Sequence, residues 1–324
     1  MTYAKYGKVE AVDFNTLVGA TNGSTPLTLN YVWGTGSGNS GYGQTPVQRV
    51  AANTTVTAEN WQQLIEKSVS MGIHQGTVMA EIIAPNPDDT VTYLKAAGDN
   101  LSKLYLGRNN AIAQGSSYQK EVKNVAAVWF DSISFTHTAT FESPDQARYF
   151  FNCGGQLALN FSHPAGDRVN ALFNKMAIDC GTVVISAMSD TTIPSDAKIN
   201  GLNYMGVTKI GGTGIPNVRA MGKGYYGLST NDTVIFSQSV VGTPAKYYTY
   251  VGSNITIKAR TNGPQGGNGD NGTVITFTTT WDQMPNGVPV TPLSSTTLIV
   301  KPPSTEHLTN TWGTVVLDGT VSGG

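Results

Sequence analysis

Reactive side chains are few in this chain, and several of them gather in one stretch. The histidines are His74, His137, His163 and His307, and the cysteines are Cys153 and Cys180. Between Phe130 and Phe161 (FDSISFTHTATFESPDQARYFFNCGGQLALNF) stand His137, Asp145 and Cys153, the imidazole, carboxylate and thiol that a nucleophilic site combines. Their spacing argues for another use. From Ile133 to Phe141 apolar and hydroxyl residues alternate, so His137 shares the inward face of a strand with Ile133, Phe135, Ala139 and Phe141. Ser143, Pro144 and Gln146 hold the N-cap, N1 and N3 positions of a helix, which puts Asp145 in its favourable first turn. That helix, about two turns long by its pattern, buries Ala147, Phe150 and Phe151 and stops at Cys153-Gly154-Gly155. Leu157, Leu159 and Phe161 then alternate as a returning strand. Each of the three reactive groups thus has a structural reason to be where it is.

Other chemistries fare no better. No histidine has a second histidine or a cysteine at ligand spacing, so neither a metal nor a cofactor is expected. Neither G-x-S-x-G nor H-E-x-x-H occurs. Asp131, Asp145 and Asp167 would serve glycoside hydrolysis only as a pair about 5–10 Å apart, and no catalytic residue is assigned; the chain reads as non-enzymatic. Tyrosines can stack on sugar rings, which makes Tyr225, Tyr226, Tyr248 and Tyr250 candidate glycan contacts. The competing reading is that strand alternation buries one of each adjacent pair. Buried, reduced thiols are expected for Cys153 and Cys180, with a disulfide left open for a protein outside a cell.

The elements that would position these residues are those of a β-rich protein. Of 324 residues, 37 are glycine, 39% are hydrophobic and only 13% are charged, with a formal net charge of −1. Without a basic surplus, nucleic acid is excluded as a partner. No apolar run reaches the ~20 residues of a membrane span. The first residues, MTYAKYGKVEAVDF, lack the apolar core of a secretory signal, so synthesis in a cytosol is expected.

The N-terminal part carries an echo 47 residues apart, Val9 to Leu17 against Val56 to Leu64, with Phe14 matched to Trp61. The first copy predicts a short helix from Ala11 to Val18 ending at Gly19. The second predicts an amphipathic helix capped by Thr57, carrying Trp61, Leu64, Ile65 and Ser68, and closed at Gly72. Between them lies GTGSGNSGYGQ. No Lys-Ser/Thr follows it, so it is not a phosphate loop; it reads as a tight loop packed on neighbouring chain or an arm ordered by assembly. Its Gly34, Gly36, Gly38, Gly41, Tyr42 and Gly43, with Trp61, are the candidate assembly contacts. TVMAEII (77–83) predicts a strand, and 85–124 a connector. From Val125 on, strands alternate with Gly, Pro and Asn breaks, with helices near 143–152 and 166–180. The predicted fold is α+β, mainly β: an antiparallel sandwich over 125–324 with two helices packed on it, preceded by a small helical, Gly-rich docking unit over 1–84.

Several segments together resemble virion structural proteins of tailed bacteriophages, the tail and fibre proteins of contractile-tailed phages of cyanobacteria and related hosts. They are SGYGQ (Ser40 to Gln44), the helix start from Asn53 to Trp61, IHQG (Ile73 to Gly76), FTHTATF (Phe135 to Phe141) and ARYFFNCGGQL (Ala147 to Leu157). Gly224 to Phe236 and the closing strand VVLDGTVS (Val315 to Ser322) are similar too; Cys153 departs from the small or polar residue expected there. The resemblance implies a non-enzymatic component of a virion, built in the host cytoplasm as a homo-oligomer. Its partners would be copies of itself and other tail, neck or baseplate proteins, and a host surface glycan if the chain is an adhesin module.

Overall fold

Helix ends in this protein are set by small local devices, and the first two major helices use the same one. The computed structural model describes residues 10–87, 91–110, 118–166, 168–187, 206–220, 224–239, 252–263, 272–285 and 287–323. Helix α1 spans Ala11–Val18, α2 is a single turn at Leu29–Val32, and α3 spans Ala58–Gln75. In α1 and α3 the third helical side chain, Asp13 or Asn60, accepts the backbone N–H of Glu10 or Thr57 at 3.0 and 2.9 Å. One residue on, Phe14 and Trp61 meet edge to face with ring centroids 5.4 Å apart. The echoed positions therefore share both a capping role and a packing partner.

Two expectations for this part change. Helix α3 runs past Gly72 to Gln75, and Gly76 ends it in the left-handed conformation at φ 66°. Gly72 is a packing glycine instead: a Cβ there would collide with the methyl end of Met79. The 85–124 stretch is no connector. Leu94, Ala97, Leu101 and Leu104 form the buried stripe of α4, Leu94–Gly107, which packs on the three earlier helices. The rest of it supplies β1, Gln119–Asn124.

The predicted strand 77–83 does not form. Residues 77–84 run without turn or bend and pair with no strand, while the Asn100 side chain takes both backbone groups of Ala80, at 2.9 and 2.8 Å.

The sandwich follows. Strand β2 is Ser132–Thr140, helix α5 Pro144–Asn152, β3 Gln156–Ser162, α6 Arg168–Cys180 and β4 Thr182–Ile185. Then come β5 Val207–Ile210, β6 Val218–Arg219, β7 Thr233–Ser239, β8 Asn254–Thr261, β9 Val274–Asp282, β10 Ser295–Lys301 and β11 Val316–Gly323. One antiparallel sheet has the order β1-β10-β3-β4-β5 and the other β11-β2-β9-β8-β7-β6. The fold is thus α+β, mainly β, a sandwich with helices packed on it and a helical unit before it. Strands β2 and β3 belong to different sheets, so the returning strand predicted after α5 has crossed to the opposite layer. Ser143 caps α5 as its sequence predicts, accepting the Gln146 N–H at 3.2 Å. Helix α6 touches β3 of one sheet and β7 and β8 of the other, with Phe173 stacked on Trp281 at 5.8 Å.

In β2 and β9 every second residue is buried, and the outer positions pair Thr136 with Thr278 and Thr138 with Thr276. One continuous apolar core runs from Phe14 in α1 to Val315 before β11. The predicted boundary between an N-terminal unit and a sandwich is therefore not a boundary between cores.

Candidate functional site

The glycine-rich loop is held by side chains of α5. Gly36 and Gly43 have φ of 53° and 70°. A Cβ at Gly41 would strike the Thr35 carbonyl, and one at Gly43 the Tyr149 ring, so the loop folds onto itself and onto α5 only without side chains there. Three donors converge on the Gly38 carbonyl: Arg148 Nη1 at 3.3 Å, Asn152 Nδ2 at 3.0 Å and the Tyr226 hydroxyl at 2.9 Å. Arg148 Nη1 also donates to the Thr35 carbonyl at 2.9 Å, and Asn152 Nδ2 to that of Gly41 at 2.8 Å. Burial disfavours the Arg148 charge. Asp145, bonded to its Nη2 at 2.9 Å, together with the neighbouring Tyr149 and Tyr226 phenols outweighs that, and the guanidinium pKa lies above its ordinary value.

Beneath the loop lies a buried polar hub. Tyr42 donates its hydroxyl to the Arg108 carbonyl at 2.8 Å and accepts from Gln75 Nε2 at 2.9 Å. Burial pushes its phenol far above the usual value. His74 Nε2 lies 2.9 Å from the Cys153 carbonyl oxygen, and burial pulls the imidazole down to about 4. A neutral ring facing a carbonyl carries its proton on Nε2, which leaves Nδ1 an acceptor without a partner. Gln44 ties the same region to the far end of the chain, its Oε1 accepting the Thr309 N–H at 2.9 Å.

The three reactive groups of the Phe130–Phe161 stretch are not aligned as a nucleophilic site. Burial raises the Cys153 thiol well above its normal pKa, and its Sγ faces the Tyr42 carbonyl rather than an imidazole. His137 is fully buried on β2, where burial lowers it to about 4. Asp145 is engaged by Arg148. Among the described residues, His137, Asp145 and Cys153 make no hydrogen bond to one another. His163 bonds Ser294 Oγ at 2.8 Å, and Asp131 accepts the Gly287 N–H at 3.0 Å. Asp167 lies outside the described residues. Cys153 and Cys180 are both free and buried. Among the described residues no group of His, Cys, Asp and Glu could hold a metal, and no helix is long and apolar enough to cross a membrane.

Of the candidate assembly contacts, Gly34 to Gly43 form the clamped loop, while Tyr42 and Trp61 are interior side chains of their own chain. Their aromatic bulk is needed by the core, so neither ring is open to a partner. Of the candidate glycan contacts, Tyr225 is also interior. It sits in a 3-10 turn, Tyr225–Gly227, with its ring stacked on Phe151 at 4.3 Å. Tyr226 is half-buried and bonded to the loop, and Tyr248 and Tyr250 lie outside the described residues. Sequence reasoning missed Arg148 and Asn152. Their signal was present: a cation and an amide at i and i+4 on a helix otherwise rich in buried rings.

Two surface features remain. An apolar groove of about 570 Å³ runs between α3 and residues 77–82. A second cleft, of about 390 Å³, lies between the start of β1 and the segment joining β10 to β11.

The fold and clamp define a class of architecture: an antiparallel sandwich whose N-terminal helices are locked to it by a glycine loop. Comparison with family models, curated proteins and solved structures finds no match for the chain.

Proposed function

We propose that this chain is a structural subunit of a bacteriophage virion, in the tail, neck or fibre, assembling as a homo-oligomer and joining the particle through its N-terminal part. The observation that carries the assembly reading is the strip formed by 77–84 and the outer face of α3. Val78 and Ile83 are 85% and 79% exposed, and Ile73 beside them is 56% exposed. Among the described residues, 78–84 exchange no backbone–backbone hydrogen bond. Exposed branched apolar side chains on an unpaired, unbent backbone are the chemistry of strand addition from another chain. With Asn100 occupying the Ala80 groups, the alternating backbone groups on the opposite edge are the ones left for a partner strand.

The resemblance to phage virion proteins supports the context. The low overall charge and the threonines on the outer faces of β2 and β9 suit repeated contacts between identical subunits. The reactive groups of the Phe130–Phe161 stretch are all engaged in holding the fold, which favours a building block over an enzyme.

Native mass measurement of the full chain tests this. A closed homo-oligomer is expected, a trimer for a fibre or six or twelve copies for a ring. Val78→Asp with Ile83→Asp should return it to monomer with an unchanged circular dichroism spectrum. A wild-type chain that stays monomeric at every concentration up to its solubility limit overturns the proposal.

A further inference from the structure

The cleft between β1 and the β10–β11 connection has a lining unlike the groove at α3. Its floor is apolar, made by Phe150, Val300, Trp312 and Val315, all buried. Its rim is polar and exposed, with the amides of Gln119 and Asn310 and the hydroxyls of Thr305 and Thr314. One aromatic ring stands at its edge: Tyr118, 62% exposed. Among the described residues, no Asp, Glu, Lys, Arg or His lines it.

Two donors there are unspent. Trp312 is only 2% exposed, and among the described residues its indole N–H has no hydrogen-bond partner. Trp312 lines the cleft and brings one indole donor to its floor residues. Asn310 Oδ1 accepts the Gly313 N–H at 2.9 Å and its Nδ2 reaches the Gly313 carbonyl only at 3.4 Å, leaving a second amide hydrogen unused.

We propose that this cleft binds a neutral sugar ring. A pyranose has an apolar C–H face that suits the Tyr118 ring and the floor, and a belt of hydroxyls that suits amide, hydroxyl and indole partners. The absence of charge in the lining disfavours phosphate, sulfate or carboxylate ligands, which need a cation to replace their hydration. A polyproline peptide would need aromatic ridges in series, and a single exposed ring lines this cleft. The volume lies within the usual range of about 300–1,000 Å³ for small-ligand sites. The site is independent of the assembly reading. Tyr118 and the cleft belong to β1 and the sandwich, whereas the assembly strip belongs to α3 and 77–84. It also replaces Tyr225 and Tyr226 as the place where glycan would be met.

The test uses the full-length protein on an array of neutral oligosaccharides, with sialylated and sulfated glycans and proline-rich peptides as competing probes. Selective retention on neutral glycans is expected. Tyr118→Ala, at an exposed position, should weaken it by about tenfold. Trp312→Phe, which keeps the floor but removes the N–H, should weaken it by several-fold. Tyr226→Phe should leave it unchanged. No retention of any neutral glycan overturns the proposal. So does a preference for charged glycans or peptides, or binding that survives both cleft substitutions. Native mass measured on the same variants keeps this result separate from oligomerisation.

Discussion

At the scale of single residues, the buried imidazoles decide how the protein responds to acid. His74 and His137 are held neutral, with burial lowering both to about 4, while an unfolded histidine titrates near ~6.5. Between those values the unfolded chain binds protons that the folded chain refuses. Their contribution is therefore complete above about pH 6.5, falls as pH drops through the window, and levels off below about 4. The size is of order 3 kcal/mol per histidine across the whole window. Urea midpoints should accordingly be clearly lower at pH 4.5 than at pH 7, and equal midpoints would contradict the neutral, buried placement. His137 was legible from strand alternation alone. His74 was not, because it sits on the turn of α3 beyond the glycine that looked like a stop.

At the scale of elements, local chemistry was readable and long-range partners were not. Ser143, Pro144 and Asp145 announced α5, and the Ala11 to Val18 helix was bounded correctly by its own pattern and Gly19. Helix α4 escaped because Gly98, Asp99 and Asn100 interrupt its stripe, and Asn100 is there for the Ala80 backbone rather than for the helix. The strand expected at 77–83 had the right composition but no neighbour among the described residues; β-propensity expresses a fit to a paired surface, and none is present there. Glycines separate by the same logic. Gly41 lies against the Thr35 carbonyl, whereas a Cβ at Gly76 would meet nothing within 4 Å and only the left-handed backbone opposes it. Gly76→Ala should then cost about 1 kcal/mol. Gly41→Ala should cost more than about 3 kcal/mol or prevent folding. Denaturation of the two variants side by side checks the order; equal costs would mean that the loop is not packed as described.

At the scale of the molecule, the run of strands and breaks from Val125 on suggested a unit separate from the helical one, and the continuous core joins them. Tyr42, His74 and Cys153 meet where helices and sandwich abut, so removing residues 1–80 would uncover Tyr149 and Cys153 rather than release a finished β-domain. Unfolding should be one cooperative event. Helical ellipticity and tryptophan fluorescence, with Trp61 in the helices and Trp129 and Trp281 in the sandwich, should share a single denaturant midpoint. Two separated transitions would show that the cores are energetically distinct.

The Gln44 amide carries a consequence in time. Its partners at Thr309 lie 265 residues further along the chain, and a ribosome adding about 5–20 residues per second needs many seconds to cover that interval. Until then the loop that fixes α3 to the sandwich has only part of its bonds, and the apolar strip beside α3 has no settled frame. Under the proposed assembly a nascent chain would be a poor recruit for finished neighbours, and a subunit would become fit to join others only as its synthesis nears Thr309.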